Sequence, residues 1–181
     1  MSHEHQPRGY DEYRGNIKKV GDLIEEVDVC MMTTHRADGT LISRPMRWLL
    51  RDEFDGDLWF FTYESSRKAE DVRQDPHVNL GFLSNDQKIA VSIRGRGELV
   101  HDRAKVEELW QPELNAWFPD GKDSEDLVLL RVDAFGAEYW DGTQNPVALV
   151  LGLVEGIVSD KHADTGENEK LNLEGRASAA S

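Results

Sequence analysis

Short apolar runs closed by turn signals constrain this chain more than any other feature. "LWFFTY" (58–63), "HVNLGFL" (77–83) and "KIAVSIRGRGELVH" (88–101) read as strands, rich in β-branched and aromatic residues. In the last of these Ile89, Val91 and Ile93 alternate, and Gly95 and Gly97 mark a bulge or a sharp bend. "VCMMTTHRADGTLISRPMRWLL" (29–50) reads as a hairpin that turns at "ADG", with its second strand running through Leu50. "DLVLLRVDAFGAEYWDG" (126–142) predicts two further strands. Helices separate the strands. One runs from Asp11 to Val27, where Ile17, Val20, Leu23, Ile24 and Val27 recur at three- and four-residue spacing. "SSRKAEDVRQD" (65–75) is a short one, with Ser65 or Ser66 as N-cap and Pro76 closing it. "DRAKVEELWQPELNAWF" (102–118) is capped by Asp102 and kinked or ended by Pro112. "PVALVLGLVEGIV" (146–158) is apolar without a deciding period. The pattern predicts an α+β, mainly β domain over residues 1–158, a small antiparallel Greek-key-like barrel with flanking short helices. From Ser159 onward apolar periodicity is lacking, and residues 159–181 are expected to be a mobile tail.

Composition excludes several classes of partner. The chain has 181 residues, enough for a substantial core, and a formal net charge of -14. That charge argues against unspecific binding to nucleic acid or anionic membranes. The longest apolar run, Val147 to Val154, is about half of the ~20 residues that a membrane span needs. The first residues hold no hydrophobic signal region, and the single cysteine, Cys30, excludes an intrachain disulfide. The expected compartment is the reducing cytoplasm.

The cations are nevertheless clustered: Arg44, Arg47 and Arg51, then Arg67, Lys68 and Arg73, then Arg94 and Arg96. Most motifs carry nothing. "IRGRGEL" lacks the third glycine of a dinucleotide fingerprint, and no phosphate-loop, paired-cysteine or His-Glu-x-x-His pattern occurs, so no metal is expected. His35, His77 and His101 are scattered and read as structural or solvent-facing. Cys30 reads as a small core residue, and Trp110 and Trp117 as helix packing. The start of the short helix is different, because several features agree there. Helix starts offer free N–H groups and a positive dipole end. Ser65 and Ser66 add hydroxyls, Arg67 a fork and Lys68 a point charge. Arg44 supplies a third cation from a neighbouring strand, and Phe61 and Thr62 end a strand along which a flat ring can lie. A phosphate at one end and a flat heterocycle at the other describe flavin mononucleotide (FMN).

The order Arg-Pro-Met, "FFT", "SSRK", "DPHVNLGF" and "GAEYWDG" resembles the pyridoxamine 5′-phosphate oxidase-like family of FMN-binding split barrels. "LNAWFPDGKDSEDLVLLRV" and "GENEKLNL" narrow the resemblance to its general stress protein branch, over roughly Val20 to Leu173. The resemblance implies FMN as cofactor, with Arg44, Ser66, Arg67 and Lys68 on its phosphate. It implies Pro45, Met46, Arg47 and Trp48 on the strand beside the ring system, and Phe61 and Thr62 against ring and ribityl chain. Trp140 matches a flavin-proximal tryptophan, and the flavin of this family sits at a homodimer interface. The departures are as informative. No Arg-x-His-x-Arg follows Trp140, and "HDRAKVEELWQPELNAWF" does not reproduce the inserted segment that holds the substrate phosphate in the vitamin-processing oxidases. The glutamine expected at the start of the long strand is displaced, with Gln87 nearby but the register closer to Ala90. The sequence thus predicts a stress-associated flavoprotein that does not oxidise pyridoxamine 5′-phosphate usefully. It leaves open an oxidoreductase with a small-molecule redox partner, a non-catalytic flavin-binding or sensing module, and the same barrel with deazaflavin or haem. No catalytic residue stands out.

Overall fold

The structure, a computed structural model, describes residues 10–49, 54–84, 89–141 and 168–173. Its elements run in the order α1 (Tyr10–Ile24), β1 (Val29–His35), β2 (Leu41–Arg47), β3 (Asp57–Tyr63), α2 (Arg67–Gln74), β4 (His77–Ser84), β5 (Ile89–Val100), α3 (Arg103–Leu109), a 3-10 turn (Pro112–Ala116), β6 (Leu127–Asp141) and β7 (Asn168–Asn172). All ladders are antiparallel, in the order β2-β1-β4-β5-β6-β3, with β7 added to β6. The chain leaving β2 returns to β3, where Leu49 N–H donates to the Trp59 carbonyl at 2.9 Å. That single bridge closes six strands into a barrel, and the fold is the expected α+β split barrel. No helix among the described residues is long and apolar enough to cross a membrane.

Alternation decides what each strand contributes to the two cores. Leu58 and Phe60 of β3 point into the barrel with Met32, Leu80, Ile93, Leu130 and Val132, while Val20 and Ile24 of α1 join the same core. Phe61 points the other way and is still only 4% exposed, because α3 and the 3-10 turn cover that face with Val106, Leu109 and Leu114. Cys30 lies in the inner core, where burial pushes its thiol up to about 12, so it stays protonated.

Three expectations are corrected. Residues 127–141 form one strand, not two. The ladder slips beside Gly95, where Arg94 faces Gly136 and Gly95 faces Ala134, so Phe135 is the extra residue of a bulge. A Cβ on Gly95 would collide with Val132 and approach the Asp133 carbonyl to 3.0 Å, so this site needs glycine. The bulge lets one strand serve two neighbours, β3 along its first half and β7 along its second. The expected tail is also not featureless, because Asn168–Asn172 is strand β7 and both Leu171 and Leu173 are buried in the inner core. The second strand of the hairpin ends at Arg47, with Leu49 in the closing bridge. Leu50, Arg51, Gln87 and "PVALVLGLVEGIV" lie outside the described residues.

Candidate functional site

Helix α2 is held where its start can meet β2 and β3. Gly97 of β5 permits this, since a Cβ there would stand 3.0 Å from Val72 of the helix. Ser66 is the N-cap, its Oγ accepting from Ala69 N–H at 3.3 Å. Ser65 turns away and bonds both oxygens of Asp126, through its N–H at 2.9 Å and its hydroxyl at 2.5 Å.

A buried polar cluster forms around this start. Asp71 of α2, only 6% exposed, accepts from Thr34 Oγ1 at 2.8 Å and from Arg44 Nη2 at 3.1 Å. The same Nη2 donates to Thr34 Oγ1 at 3.1 Å. Arg44 Nη1 is buried and has no partner among the described residues. Lys68 Nζ donates to Thr62 Oγ1 at 3.2 Å, and Thr62 Oγ1 shares a 3.0 Å bond with Ser66 Oγ. Burial, and next to it the Arg44 guanidinium, hold the Lys68 ammonium below the ordinary lysine range. The cluster thus holds two cations against one carboxylate, with a donor left over. An anion is the group that would balance it.

Beside Lys68 opens a cavity of about 290 Å³, lined by Pro45, Met46, Arg47, Leu49, Phe61, Tyr63, Lys68, Leu114, Trp117 and Phe118. Its walls are apolar, and its charges among the described residues are the two cations Arg47 and Lys68. Its floor is fixed by edge contacts: Phe61 to Trp110 at 5.3 Å, Phe61 to Phe118 at 6.0 Å and Tyr63 to Phe118 at 5.2 Å.

The structure therefore brings together Arg44, Pro45, Met46, Arg47, Phe61, Thr62, Ser66 and Lys68. It parts three others from them. Trp48 alternates into the core, where its Nε1 donates to the Val27 carbonyl at 2.6 Å and its ring meets Phe82 edge-on at 5.9 Å. Arg67 is exposed and faces a different hollow, of about 270 Å³, with Arg36, Asp38, Glu70, Asp71 and Gln74. Trp140 faces Ala90 and Asn168 on β6 and does not line the cavity. The wall residues Leu49, Tyr63, Leu114, Trp117 and Phe118 were missed by sequence reasoning. Trp110 does pack as expected, but Trp117 is 59% exposed at the cavity, and the available signal was an aromatic pair just past a proline-broken helix. His35 and His77 flank Asp75 at 3.3 and 2.7 Å, and His101 meets Glu64 at 3.1 Å, all away from the cavity lining.

Residues 15–164 match the family model described as "Pyridoxamine 5'-phosphate oxidase like". Protein bli-3 of Neurospora crassa is 30% identical over 151 residues, which cover 78% of this chain and 72% of that protein. Among solved structures, the general stress FMN/FAD binding protein from the phytopathogen Xanthomonas citri is 25% identical, with a TM-score of 0.62 over 84% of this chain and 99% of that one. A protein from Clostridium acetobutylicum related to general stress protein 26 of B. subtilis shares the fold, with a TM-score of 0.64 at 20% identity over 89% of this chain and 96% of that one. The chain belongs to the pyridoxamine 5′-phosphate oxidase-like family and resembles the general stress proteins within it.

Proposed function

We propose that this chain is an FMN-binding flavoprotein associated with stress, whose flavin serves as an oxidoreductase cofactor at a site shared by two copies of the chain. The observation that carries the reading is the buried Nη1 of Arg44 beside Lys68, where among the described residues the first has no partner and the second no carboxylate. A terminal phosphate fits that cluster, and a planar ring fits the adjoining apolar cavity. Arg44, Ser66 and Lys68 would hold the phosphate, and Pro45, Met46, Arg47 and Phe61 the ring. Bound there, FMN supplies hydride and electron chemistry, while the protein supplies binding and orientation.

The shared site draws on two observations. Trp140 is eleven positions along β6 from Leu129, the ladder partner of Phe61, which is about 36 Å of strand path. A flavin-proximal Trp140, as the resemblance implies, would then come from a second copy. Val29, Met31, Leu41 and Leu83, between 45% and 67% exposed, lie on β1, β2 and β4 and offer an apolar face for that copy.

A second reading, a flavin-binding module without turnover, is favoured by the described lining residues, among which there is no carboxylate or imidazole to move a proton. Among the described residues no histidine or cysteine lines the cavity as a haem ligand would. Fluorescence titration combined with sedimentation tests the proposal. FMN should bind at least about tenfold more tightly than riboflavin, the difference being charge-assisted bonds to phosphate of ~1.5–3 kcal/mol. Riboflavin binding as tightly as FMN would sink the phosphate site, and a monomer saturated with FMN would sink the shared one. Bleaching of the flavin bands with NADH or NADPH separates the oxidoreductase from the inert module.

A further inference from the structure

The geometry points to Asp71 as a positioning residue that aims the Arg44 guanidinium at the phosphate; this rests on the flavin reading above and deepens it. Three elements meet at this point. Thr34 comes from β1, which β2 and β4 flank, Arg44 from β2 and Asp71 from α2. Thr34 is fully buried and Asp71 is 6% exposed. Thr34 Oγ1 donates to Asp71 Oδ2 at 2.8 Å, which leaves its lone pairs for Arg44. Arg44 Nη2 donates to that hydroxyl and to the same Oδ2, each at 3.1 Å. Both hydrogens of Nη2 are then used. A guanidinium is planar, so fixing Nη2 fixes where Nη1 points. Nη1 is the buried donor without a partner among the described residues.

Charge alone gives Asp71 the opposite role. A carboxylate beside a phosphate repels it, and Arg44 and Lys68 would attract the phosphate more strongly without it. Orientation is what the carboxylate supplies. The Arg44 side chain is 18% exposed, so a guanidinium released from Asp71 has solvent to turn to. Holding it in place before the ligand arrives removes that ordering cost from binding. On its other side Asp71 walls the hollow that carries Arg36 and Arg67, and among the described residues its carboxylate bonds neither of them. The bonds of Asp71 thus serve Arg44 and the hydroxyl that shares it.

Titration of the wild-type chain, Asp71→Ala, Asp71→Asn and Thr34→Val with FMN and with riboflavin tests this. FMN affinity should fall about tenfold in Asp71→Ala and about threefold in Thr34→Val, with riboflavin affinity within about twofold of wild type throughout. Asp71→Asn keeps an oxygen for Nη2 and Thr34 and should recover most of the loss. FMN binding in Asp71→Ala as tight as in the wild type, or tighter, overturns the inference, because Asp71 would then be only a repelling charge. A parallel loss of riboflavin, or an Asp71→Asn no better than Asp71→Ala, overturns it too, since Asp71 would then be a prop of the fold. If Asp71→Ala does not fold, Thr34→Val decides, and an unchanged ratio of FMN to riboflavin affinity overturns the inference. The flavin reading is judged by the wild type alone: a chain that never takes FMN loses the cofactor. Thermal unfolding with inorganic phosphate then decides the role of Asp71. Phosphate should raise the Tm of the wild type more than that of Asp71→Ala or, if that variant does not fold, of Thr34→Val; equal shifts, or none, overturn the inference.

Discussion

Lys68→Glu is expected to lower FMN affinity by at least about tenfold while the fold survives. The lysine makes one bond in the cluster, to Thr62 Oγ1, and its lowered pKa records its burial and, after it, the neighbouring Arg44. Glutamate removes that like-charge contact with Arg44, so the empty protein loses little. Against a phosphate the same change removes a charge-assisted bond of ~1.5–3 kcal/mol and adds repulsion. Flavin titration, circular dichroism and sedimentation of the variant decide the outcome. An unfolded variant makes Lys68 structural, and unchanged affinity puts the phosphate elsewhere. The pH profile carries the same argument. Phosphate needs the ammonium, and the folded protein gives up that proton at lower pH than an ordinary lysine does. Affinity is thus highest while the ammonium keeps its proton and falls as pH rises through the lowered value. The empty protein shows the opposite trend. Its unfolded state holds the proton more tightly, so its stability rises with pH between the lowered and the ordinary value. Lys68→Arg should remove both trends, since a guanidinium does not discharge.

Leu171→Ala and Leu173→Ala are each expected to cost about 2–5 kcal/mol of stability, the usual range for emptying a buried leucine site. Both are at most 4% exposed and lie in the inner core with Val20, Ile24 and Phe60. For a chain of this size such losses lower the Tm by roughly 5–15 °C. Lys170, on the opposite face of β7, is exposed, and Lys170→Ala should change stability by no more than about 0.5 kcal/mol. Two neighbours hold the strand in place. Tyr139 donates to Glu169 at 2.7 Å, where Lys19 of α1 also donates at 2.8 Å, and Asn16 reaches the Asn172 carbonyl at 3.0 Å. Thermal unfolding of the three variants separates a core strand from a free tail. If all three melt like the wild type, β7 is not part of the cooperative core.

The sequence was informative wherever a local rule had several residues to act on. The alternation of Ile89, Val91 and Ile93 fixed β5, Gly95 marked the bulge that lies opposite it in β6, and serine, charge and proline bounded α2 within a residue or two. In β7 the same rule had only Leu171 and Leu173 to show, two apolar residues among polar neighbours, and the signal was lost. Residues 127–141 read as two strands, and only pairing with β5 reveals a bulge that keeps the strand continuous.

At the candidate site the sequence determined which residue types meet in the cationic cluster: Arg44, Ser66 and Lys68, with Phe61 alongside. The fold decided which of them face it. Strand alternation and closure of the barrel send Trp48 into the core although Arg47 before it lines the cavity. Helix rotation puts Arg67 on the outside while Lys68 turns inward. The cavity wall of Leu114, Trp117 and Phe118 exists because a segment more than fifty residues after Phe61 packs onto the strand that carries it. Residue type and local spacing set the elements and their chemistry, but which side chains share a surface depends on long-range packing, and that is set by the whole core at once.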